Sequence, residues 1–431
     1  MTITGLPMKT VDRGILAHAH ERRGFVTVPL DPDDAALGTL EVFWRLLPPH
    51  GGSVDDADKP IVVVINGGPG MPASFYRPLD FDYEADAPKP GVLDRFRYLL
   101  RDHRVLIADQ RGTDGGSAPL DMDDATLEAR LVARYFSSDA HARDYAAVID
   151  AVVPEGEPFY IIAQSYGGMP GMQYVGAREL RRPRGIVFSS SALPYEDALG
   201  MNLDRRREQL RLNLALRDVV PDIEARVAAV RAHMAAEGVD PGKLNGLYMF
   251  LGKGVDGEWE PGLVRRLDKI LGQTGAEIAH DMAEGQEEPS LLNYILSCVN
   301  FTAGHTDRTL ALHARENVAL EPWMFDETWV LLQTGQDGGW RQALVAGLDA
   351  EPPEPTPMPS VEALRDALTT TQALFTAAEG DAFVPAGAYR ASVEKFLVPG
   401  HTEVRTLPGG HNAIFLEKGY EAFLDWTASI G

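Results

Sequence analysis

The chain has little cysteine and no long apolar run, and each of these deficits excludes a class of protein. Its 431 residues include a single cysteine, Cys298, so no disulfide can form within the chain, and we expect a reducing, cytoplasmic location. The apolar stretch Ile61–Ile65 ends far short of the ~20 residues that a helix needs to span a bilayer. The segment before Arg23 has no continuous apolar core, so no secretory signal is expected.

The chain is also short of positive charge. It has 63 acidic and 40 basic residues, and its formal net charge is −23 at pH 7. A chain this acidic repels phosphate backbones and anionic lipids, so nucleic acid and membrane surfaces are poor candidates for partners. The excess negative charge either solvates the surface and aids solubility or attracts a cationic substrate.

Short apolar runs alternate with helical segments in the first half of the chain. The predicted strands are Gly24–Leu30, Leu40–Leu47, Ile61–Ile65, Val105–Ala108, Phe159–Ala163 and Ile186–Ser189. The last four lack strict alternation, which is typical of parallel strands covered on both faces. Between two of them, His141–Val153 places its apolar residues on one helical face. These features predict an α/β fold with a mostly parallel sheet and helices on both faces.

The composition changes after Pro194, where helix formers and arginine become frequent. Amphipathic helices are predicted at Leu203–Arg217, Ile223–Glu237 and Leu263–Leu271, and a proline-rich connector at Glu351–Ser360. Strands at Thr371–Ala377 and Glu403–Leu407 then precede a closing helix near Tyr420–Trp426. We therefore predict a core at residues 1–195 that includes N-terminal strands, an inserted helical cap at 196–362, and the rest of the core at 363–431.

The segment that follows the predicted strand at Phe159 has the features of a nucleophile-bearing turn. Its sequence runs Ala163-Gln164-Ser165-Tyr166-Gly167-Gly168, with small residues around the serine. Hydrolases present a reactive serine on a sharp strand-to-helix turn of this kind, usually as Gly-x-Ser-x-Gly. Ala163 replaces the first glycine but is still small. Ser165 is therefore the candidate nucleophile, and an ordinary serine in a connecting turn is the alternative.

A glycine-rich loop, Asn66-Gly67-Gly68-Pro69-Gly70, follows the strand Ile61–Ile65. In hydrolases with a serine turn, this position supplies a backbone amide that binds the substrate oxyanion. We predict that the N–H groups of Gly68 and Tyr166 are the two donors. A plain turn is the alternative interpretation of the loop.

A serine nucleophile needs a base that is held by a carboxylate. Asp381 follows the predicted strand Thr371–Ala377, and His411 follows Glu403–Leu407. Both therefore lie on loops at the carboxyl ends of strands, in the chain order serine, acid, histidine. Taken singly, Asp381 could be a turn residue and His411 a surface residue, but together with Ser165 they predict a catalytic triad.

The segment Asp109–Ser117 follows the strand Val105–Ala108 and contains Asp-Gln-Arg-Gly. An acidic residue two positions before an arginine can form a buried ion pair. We predict that the pair braces the glycine loop, with direct contact to substrate as the alternative.

Together, these motifs resemble those of the proline iminopeptidase family of serine peptidases. That family has His-Gly-Gly-Pro-Gly, Asp-Gln-Arg-Gly-x-Gly-x-Ser, Gly-x-Ser-x-Gly-Gly, Gly-Asp and Gly-His, and each has a counterpart here, in order, from Asn66 to His411. The resemblance covers roughly residues 20–195 and 365–431. It implies an α/β-hydrolase fold with an inserted helical cap. It also implies release of N-terminal proline from peptides through an acyl-enzyme, without cofactor or metal.

Two departures from the family motifs bear on the substrate. Asn66 stands where the family has histidine, and the segment Leu292–Leu296 lacks a glutamate where the family places one to bind the free amine of the substrate. Glu316 and Glu321, close to Pro322-Trp323-Met324-Phe325, are the candidate substitutes for that role. An esterase or amidase that acts on a small specialised metabolite is therefore an alternative, and a non-catalytic binding protein is a third. The sequence does not specify an oligomeric state.

The aromatic residues of the predicted cap have a structural interpretation. Trp323, Met324, Phe325, Trp329 and Trp340 are predicted to form the apolar core of the cap, with lining of a substrate pocket as the alternative.

Overall fold

The computed structural model describes residues 2–3, 6–7, 21–70, 81–82, 87–88, 96–113, 117, 120–121, 128–191, 193, 198–251, 263–279, 315–316, 318, 320–325 and 357–431. Two short antiparallel hairpins lie outside the main sheet. One pairs Thr2–Ile3 with Leu6–Pro7, and the other pairs Phe81–Asp82 with Ala87–Pro88.

An eight-stranded sheet forms the centre of the described structure. Its strands are Arg22–Pro29 (β1), Thr39–Leu47 (β2), Ile61–Ile65 (β3), Arg104–Ala108 (β4), Phe159–Gln164 (β5), Gly185–Ser189 (β6), Gln372–Ala378 (β7) and Thr402–Leu407 (β8). Their spatial order is β8-β7-β6-β5-β3-β4-β2-β1. The strands from β8 to β4 are parallel, whereas β2 and β1 add antiparallel to one edge. The predicted mostly parallel sheet is confirmed.

Helices connect the strands and extend the chain beyond the sheet. They are Ala129–Tyr135 (α1), Ser138–Val152 (α2), Gly168–Gly176 (α3), Ala198–Val219 (α4), Ile223–Ala236 (α5), Leu263–Ile270 (α6), Val361–Ala367 (α7), Ala386–Val393 (α8) and Glu417–Ser429 (α9). Helix α2 begins earlier than its apolar pattern predicted, because the Ser137 side chain accepts a hydrogen bond from the Ala140 amide and caps the helix. No described helix is both long and apolar enough to cross a bilayer.

Apolar side chains fill both faces of the sheet. On β3, Val63 and Ile65 point into a cluster that includes residues of α2 and α3, while Val62 and Val64 point into a cluster that includes residues of α9. All five residues of β3 are buried, as are those of β4 and β6. Coverage of both faces explains why these strands lack polar alternation.

A third apolar cluster joins helices α4, α5 and α6 to the segment Trp323–Phe325, and together these elements form the helical region. The buried Asn213 amide holds this segment in place, because it donates to the Phe325 carbonyl at 3.1 Å and accepts from the Phe325 amide at 2.9 Å. Trp323, Met324 and Phe325 therefore lie in the apolar core of the helical region, as predicted. Trp329 and Trp340 lie outside the described residues, and the domain boundaries at 195 and 362 stay predictions.

One buried histidine makes the stability of the fold sensitive to acid. The His103 ring packs against the rings of Tyr420 and Phe423 on α9, and burial lowers the pKa of His103 to about 4. The unfolded chain, with a histidine pKa near 6.5, binds the proton more readily between these two values. The free energy of unfolding must therefore fall as the pH drops through this window.

We expect a His103→Phe variant to lose this part of the acid sensitivity while keeping the ring contacts. When the pH is lowered from 7 to 5, the free energy of unfolding should fall by roughly 2 kcal/mol less in the variant than in the wild type. Urea unfolding of both proteins at the two pH values measures this difference. An unchanged difference would show that His103 does not titrate in this window.

Candidate active site

Ser165 lies at the turn between β5 and α3. Its φ is 56°, in the left-handed region that non-glycine residues seldom adopt, and it begins a short 3₁₀ segment, Ser165–Gly167. Holding such a conformation costs about 1–3 kcal/mol. A strained serine at a strand-to-helix turn is the geometry in which hydrolases present a nucleophile.

Close packing explains the small residues around this turn. A Cβ added to Gly167 would lie 2.1 Å from the Ile65 carbonyl oxygen, and one added to Gly168 would lie 2.3 Å from the Cβ of Ser191. Helix α3 has Gly171 opposite Ala163, where an added Cβ would come within 2.8 Å of the alanine methyl. The alanine that replaces the usual glycine is therefore accommodated by a glycine on the facing helix.

The glycine loop lies directly against Ser165. A Cβ on Gly67 would be 2.9 Å from the Cβ of Ser165 and 3.3 Å from its Oγ, so only glycine lets the backbone approach this closely. Gly68 has a φ of 118° and is followed by a cis bond to Pro69. The buried Asn66 side chain accepts a hydrogen bond from the Tyr145 hydroxyl on α2 at 2.7 Å. The glycine loop therefore lies in contact with the serine turn.

A buried glutamine, Gln110, braces the glycine loop. Its amide nitrogen donates to the carbonyl oxygens of Asn66 and Gly67 at 3.1 and 2.7 Å, and its amide oxygen accepts from the Gly70 amide at 2.7 Å. One side chain therefore satisfies backbone groups at both ends of the loop and restricts its movement.

Arg111 forms a buried ion pair with Asp144 on α2. The two parallel bonds run from Nε at 2.7 Å and from Nη2 at 2.5 Å to the two carboxylate oxygens. The same guanidinium donates to the carbonyls of Leu30 and Tyr135, so it joins four segments of the chain. Burial raises the pKa of the Asp144 carboxyl, and the positive charge of Arg111 opposes that shift.

The sequence prediction for this motif needs correction. The bidentate partner of Arg111 is Asp144 rather than the nearby Asp109, which accepts a hydrogen bond from the Ser117 amide at 2.9 Å. The loop is braced by the Gln110 amide rather than by an ion pair. Asp144 lies 33 residues from Arg111 along the chain, and neither its spacing nor its neighbours indicated the pairing.

Asp381 and His411 form a hydrogen-bonded pair on loops that follow β7 and β8. His411 Nδ1 lies 3.0 and 2.9 Å from the two carboxylate oxygens of Asp381. Asp381 is fully buried and also accepts from the amides of Phe383 and Val384 at 2.8 and 3.0 Å. The Phe383 ring packs on the imidazole with centroids 4.6 Å apart. These contacts leave the Nε2 edge of His411 turned away from the carboxylate.

The residue after the candidate nucleophile has a buried partner that the sequence did not reveal. The hydroxyl of Tyr166 lies 2.9 Å from Nδ1 of His141, in the first part of α2, and the two rings meet edge to face. Burial lowers the pKa of His141 to about 3, which keeps the imidazole neutral near pH 7, and burial raises the pKa of Tyr166. The predicted oxyanion donor therefore belongs to a residue whose side chain is anchored.

The two candidate amine-binding glutamates make contacts within the helical region. The Glu316 carboxylate lies 3.5 Å from Arg207 and 3.3 Å from Arg315. Glu321 accepts a hydrogen bond from the indole of Trp323 at 2.9 Å. Within the described residues, the contacts of these two carboxylates do not reach the serine turn. No described cluster of three or more histidine, cysteine, aspartate or glutamate side chains is placed to hold a metal ion.

Comparisons with known proteins agree with this architecture. The family model for the alpha/beta hydrolase fold matches residues 60–236, which include the glycine loop and the serine turn. No curated protein matches the chain. Together with the strand order, the family match shows that the chain has the α/β-hydrolase fold.

Solved structures similar to the chain are distant in sequence. A thermophilic esterase from Thermogutta terrifontis is 13% identical with a TM-score of 0.43, and the match covers 95% of this chain and 99% of that one. The naproxen esterase from Bacillus subtilis is 12% identical with a TM-score of 0.38, covering 94% and 92%. A bromoperoxidase from Bacillus anthracis is 13% identical with a TM-score of 0.37, covering 94% and 100%. At this distance, the activities of these proteins do not transfer to the chain.

The close approach at the serine turn predicts a sharp difference between two glycine-to-alanine variants. Gly167→Ala places a methyl group against the Ile65 carbonyl, and we expect it to destabilise the protein by at least ~2 kcal/mol. Gly387→Ala, in helix α8 with open space around the added methyl group, should be neutral or stabilising by about 0.5–1 kcal/mol. Thermal unfolding of both variants tests the difference, and equal stabilities would contradict the packing described for the turn.

The Arg111–Asp144 pair predicts a recoverable loss of stability. Arg111→Met leaves a buried carboxylate without its partner and should cost about 3–5 kcal/mol. Adding Asp144→Leu removes the stranded charge, so the double variant should regain most of that loss. Denaturant unfolding of the wild type, the two single variants and the double variant gives the coupling energy. A double variant as unstable as Arg111→Met would rule out the ion pair as the cause.

Proposed function

We propose that the chain is a serine hydrolase whose catalytic triad is Ser165, Asp381 and His411. The observation that carries the proposal is the strained turn at Ser165, beside a glycine loop and on the same sheet edge as the bonded His411–Asp381 pair. These three residues follow β5, β7 and β8, which are parallel and lie within one run of four adjacent strands. Parallel strands bring their carboxyl ends to one edge, so the three loops are neighbours.

The proposed reaction begins with attack by Ser165 Oγ on a substrate carbonyl carbon. His411 Nε2 takes the serine proton, and Asp381 holds Nδ1 and stabilises the imidazolium. The tetrahedral intermediate then expels the leaving group, which receives the proton from His411, and a serine ester remains. Water attacks this ester with His411 again as the base, which releases the acid and restores the serine. The chemistry uses neither metal nor cofactor.

The oxyanion of the intermediate would be bound by the amides of Gly68 and Tyr166. Support comes from the contact between the glycine loop and the serine turn, and from the Gln110 brace that fixes the loop. Loss of one such donor typically lowers the rate ~10²–10³-fold.

The substrate that the motifs favour is a peptide with an N-terminal proline. Support for it is the ordered set of motifs from the glycine loop to His411 that the chain shares with proline iminopeptidases. A second candidate, an ester or amide of a small metabolite, is favoured by the contacts of Glu316 and Glu321. In the described part of the chain, the contacts of both carboxylates are with side chains of the helical region and not with the serine turn.

We expect a fluorophosphonate probe to label wild-type protein and not a Ser165→Ala variant. The substitution should also lower kcat by about 10⁴-fold or more. Ser190→Ala is the matched control, since Ser190 also follows a strand and has a φ of 45°, and it should be labelled like wild type. Intact-mass spectrometry reads out the labelling, and an unlabelled wild type would favour a binding protein.

The same preparations separate the two substrate candidates. Release of 2-naphthylamine from its prolyl derivative supports the peptidase, with Ser165→Ala as the blank. Brisk turnover of simple acyl esters without prolyl turnover would identify the esterase or amidase.

A further inference from the structure

We infer that Gln164 is a positioning residue that holds the His411 loop at its working distance from Ser165. The inference rests on the proposed serine-hydrolase function. Gln164 is the last residue of β5, directly before the nucleophile, and it is 2% exposed. The sequence motif assigns no role to this position, which is a free choice in Gly-x-Ser-x-Gly.

The Gln164 side chain lies between the two loops that flank the nucleophile. Its amide nitrogen donates to the backbone carbonyl of His411 at 3.2 Å and lies 3.4 Å from the side-chain oxygen of Asn412. Its amide oxygen lies on the side of the glycine loop, where a Cβ on Gly67 would come within 3.0 Å of it. One buried amide therefore contacts the loop of the base and borders the loop of the oxyanion donor.

The arrangement of the strands explains why such a link matters. Asp381 fixes the orientation of the His411 ring, but both residues belong to loops after β7 and β8. Ser165 follows β5, and β6 lies between it and β7. Strand β8 is the outermost strand of the sheet, and most of its residues are only half-buried. The carboxylate therefore sets the angle of the imidazole, whereas the Gln164 bond ties the backbone of His411 to the chain at the nucleophile.

In the proposed mechanism, proton transfer depends on the distance between Ser165 Oγ and His411 Nε2. A displacement of the order of 1 Å in a catalytic group can lower the rate by ~10²-fold. Gln164→Met keeps the length of the side chain but removes the amide nitrogen that contacts His411 and Asn412. Gln164→Glu keeps the shape and places an acceptor oxygen opposite the His411 carbonyl oxygen, so the two repel each other.

The experiment compares two esters that share one acyl group, a p-nitrophenyl ester and an alkyl ester. Nitrophenolate leaves without being protonated, whereas an alkoxide needs the proton from His411. A misplaced imidazole should therefore lower kcat/KM by roughly 10- to 100-fold for the alkyl ester and by a clearly smaller factor for the p-nitrophenyl ester. We expect this unequal loss in both Gln164 variants.

Gln173→Met serves as the matched control. Gln173 is a buried glutamine on α3 whose amide donates to the Pro357 carbonyl at 2.7 Å, on a segment that carries no residue of the triad. Its loss should lower the melting temperature while leaving the ratio of the two kcat/KM values as in wild type. The control thus separates general loosening of the fold from displacement of the base.

The outcomes separate the inference from the proposed function. Wild-type protein that reacts with neither ester nor fluorophosphonate would overturn the proposed function and the inference with it. Active wild-type protein, with folded Gln164 variants that keep wild-type rates or lose both activities by the same factor, would overturn the inference alone. If Gln164→Met does not fold, Gln164→Glu decides by the same ratio.

Discussion

The site depends on the close approach of backbone segments at the carboxyl ends of the parallel strands. The turn at Ser165 lies so near the end of β3 that a methyl group on Gly167 would overlap the Ile65 carbonyl, and the glycine loop approaches Ser165 with no room for a side chain. Without side chains in between, the backbone of the glycine loop comes close to the serine hydroxyl. These close approaches also explain why strained and small residues concentrate here, since the surrounding sheet must hold a conformation that the local sequence does not favour.

Around this contact, charge and burial are arranged so that the supporting groups hold their positions near neutral pH. Arg111 and Asp144 are buried together and neutralise each other, while His141 stays neutral because burial lowers its pKa. Neutral amides contact the loops directly, Gln110 on the glycine loop and Gln164 on the His411 loop. A glutamine can donate and accept at once, so it can bridge backbone groups without placing a net charge beside Ser165.

Local patterns in the sequence were sufficient to predict the sheet and to propose the candidate triad. Buried parallel strands are continuous apolar runs, and the serine turn and its partner loops follow those strands directly, so both can be found from short segments. The partner of Arg111, the anchor of Tyr166 and the contacts of Gln164 could not be found in this way. Each joins residues that are 25 to 247 positions apart along the chain. Polar contacts between residues so far apart in the sequence leave no periodic pattern in it. The early start of α2 depends on a single capping hydroxyl that the apolar pattern does not register.

The helical region is connected to His411, the candidate base, through the loop that carries Asp381. Ala382 belongs to the apolar cluster of α4, α5 and α6, and Phe383 packs both on that cluster and on the His411 ring. The amide of Phe383 also donates to Asp381, so one residue contacts Asp381, His411 and the helical region. A rearrangement of the helices that displaced Phe383 would therefore alter the support of the imidazole. The helical region and the proposed catalytic pair are thus coupled through direct packing of Phe383.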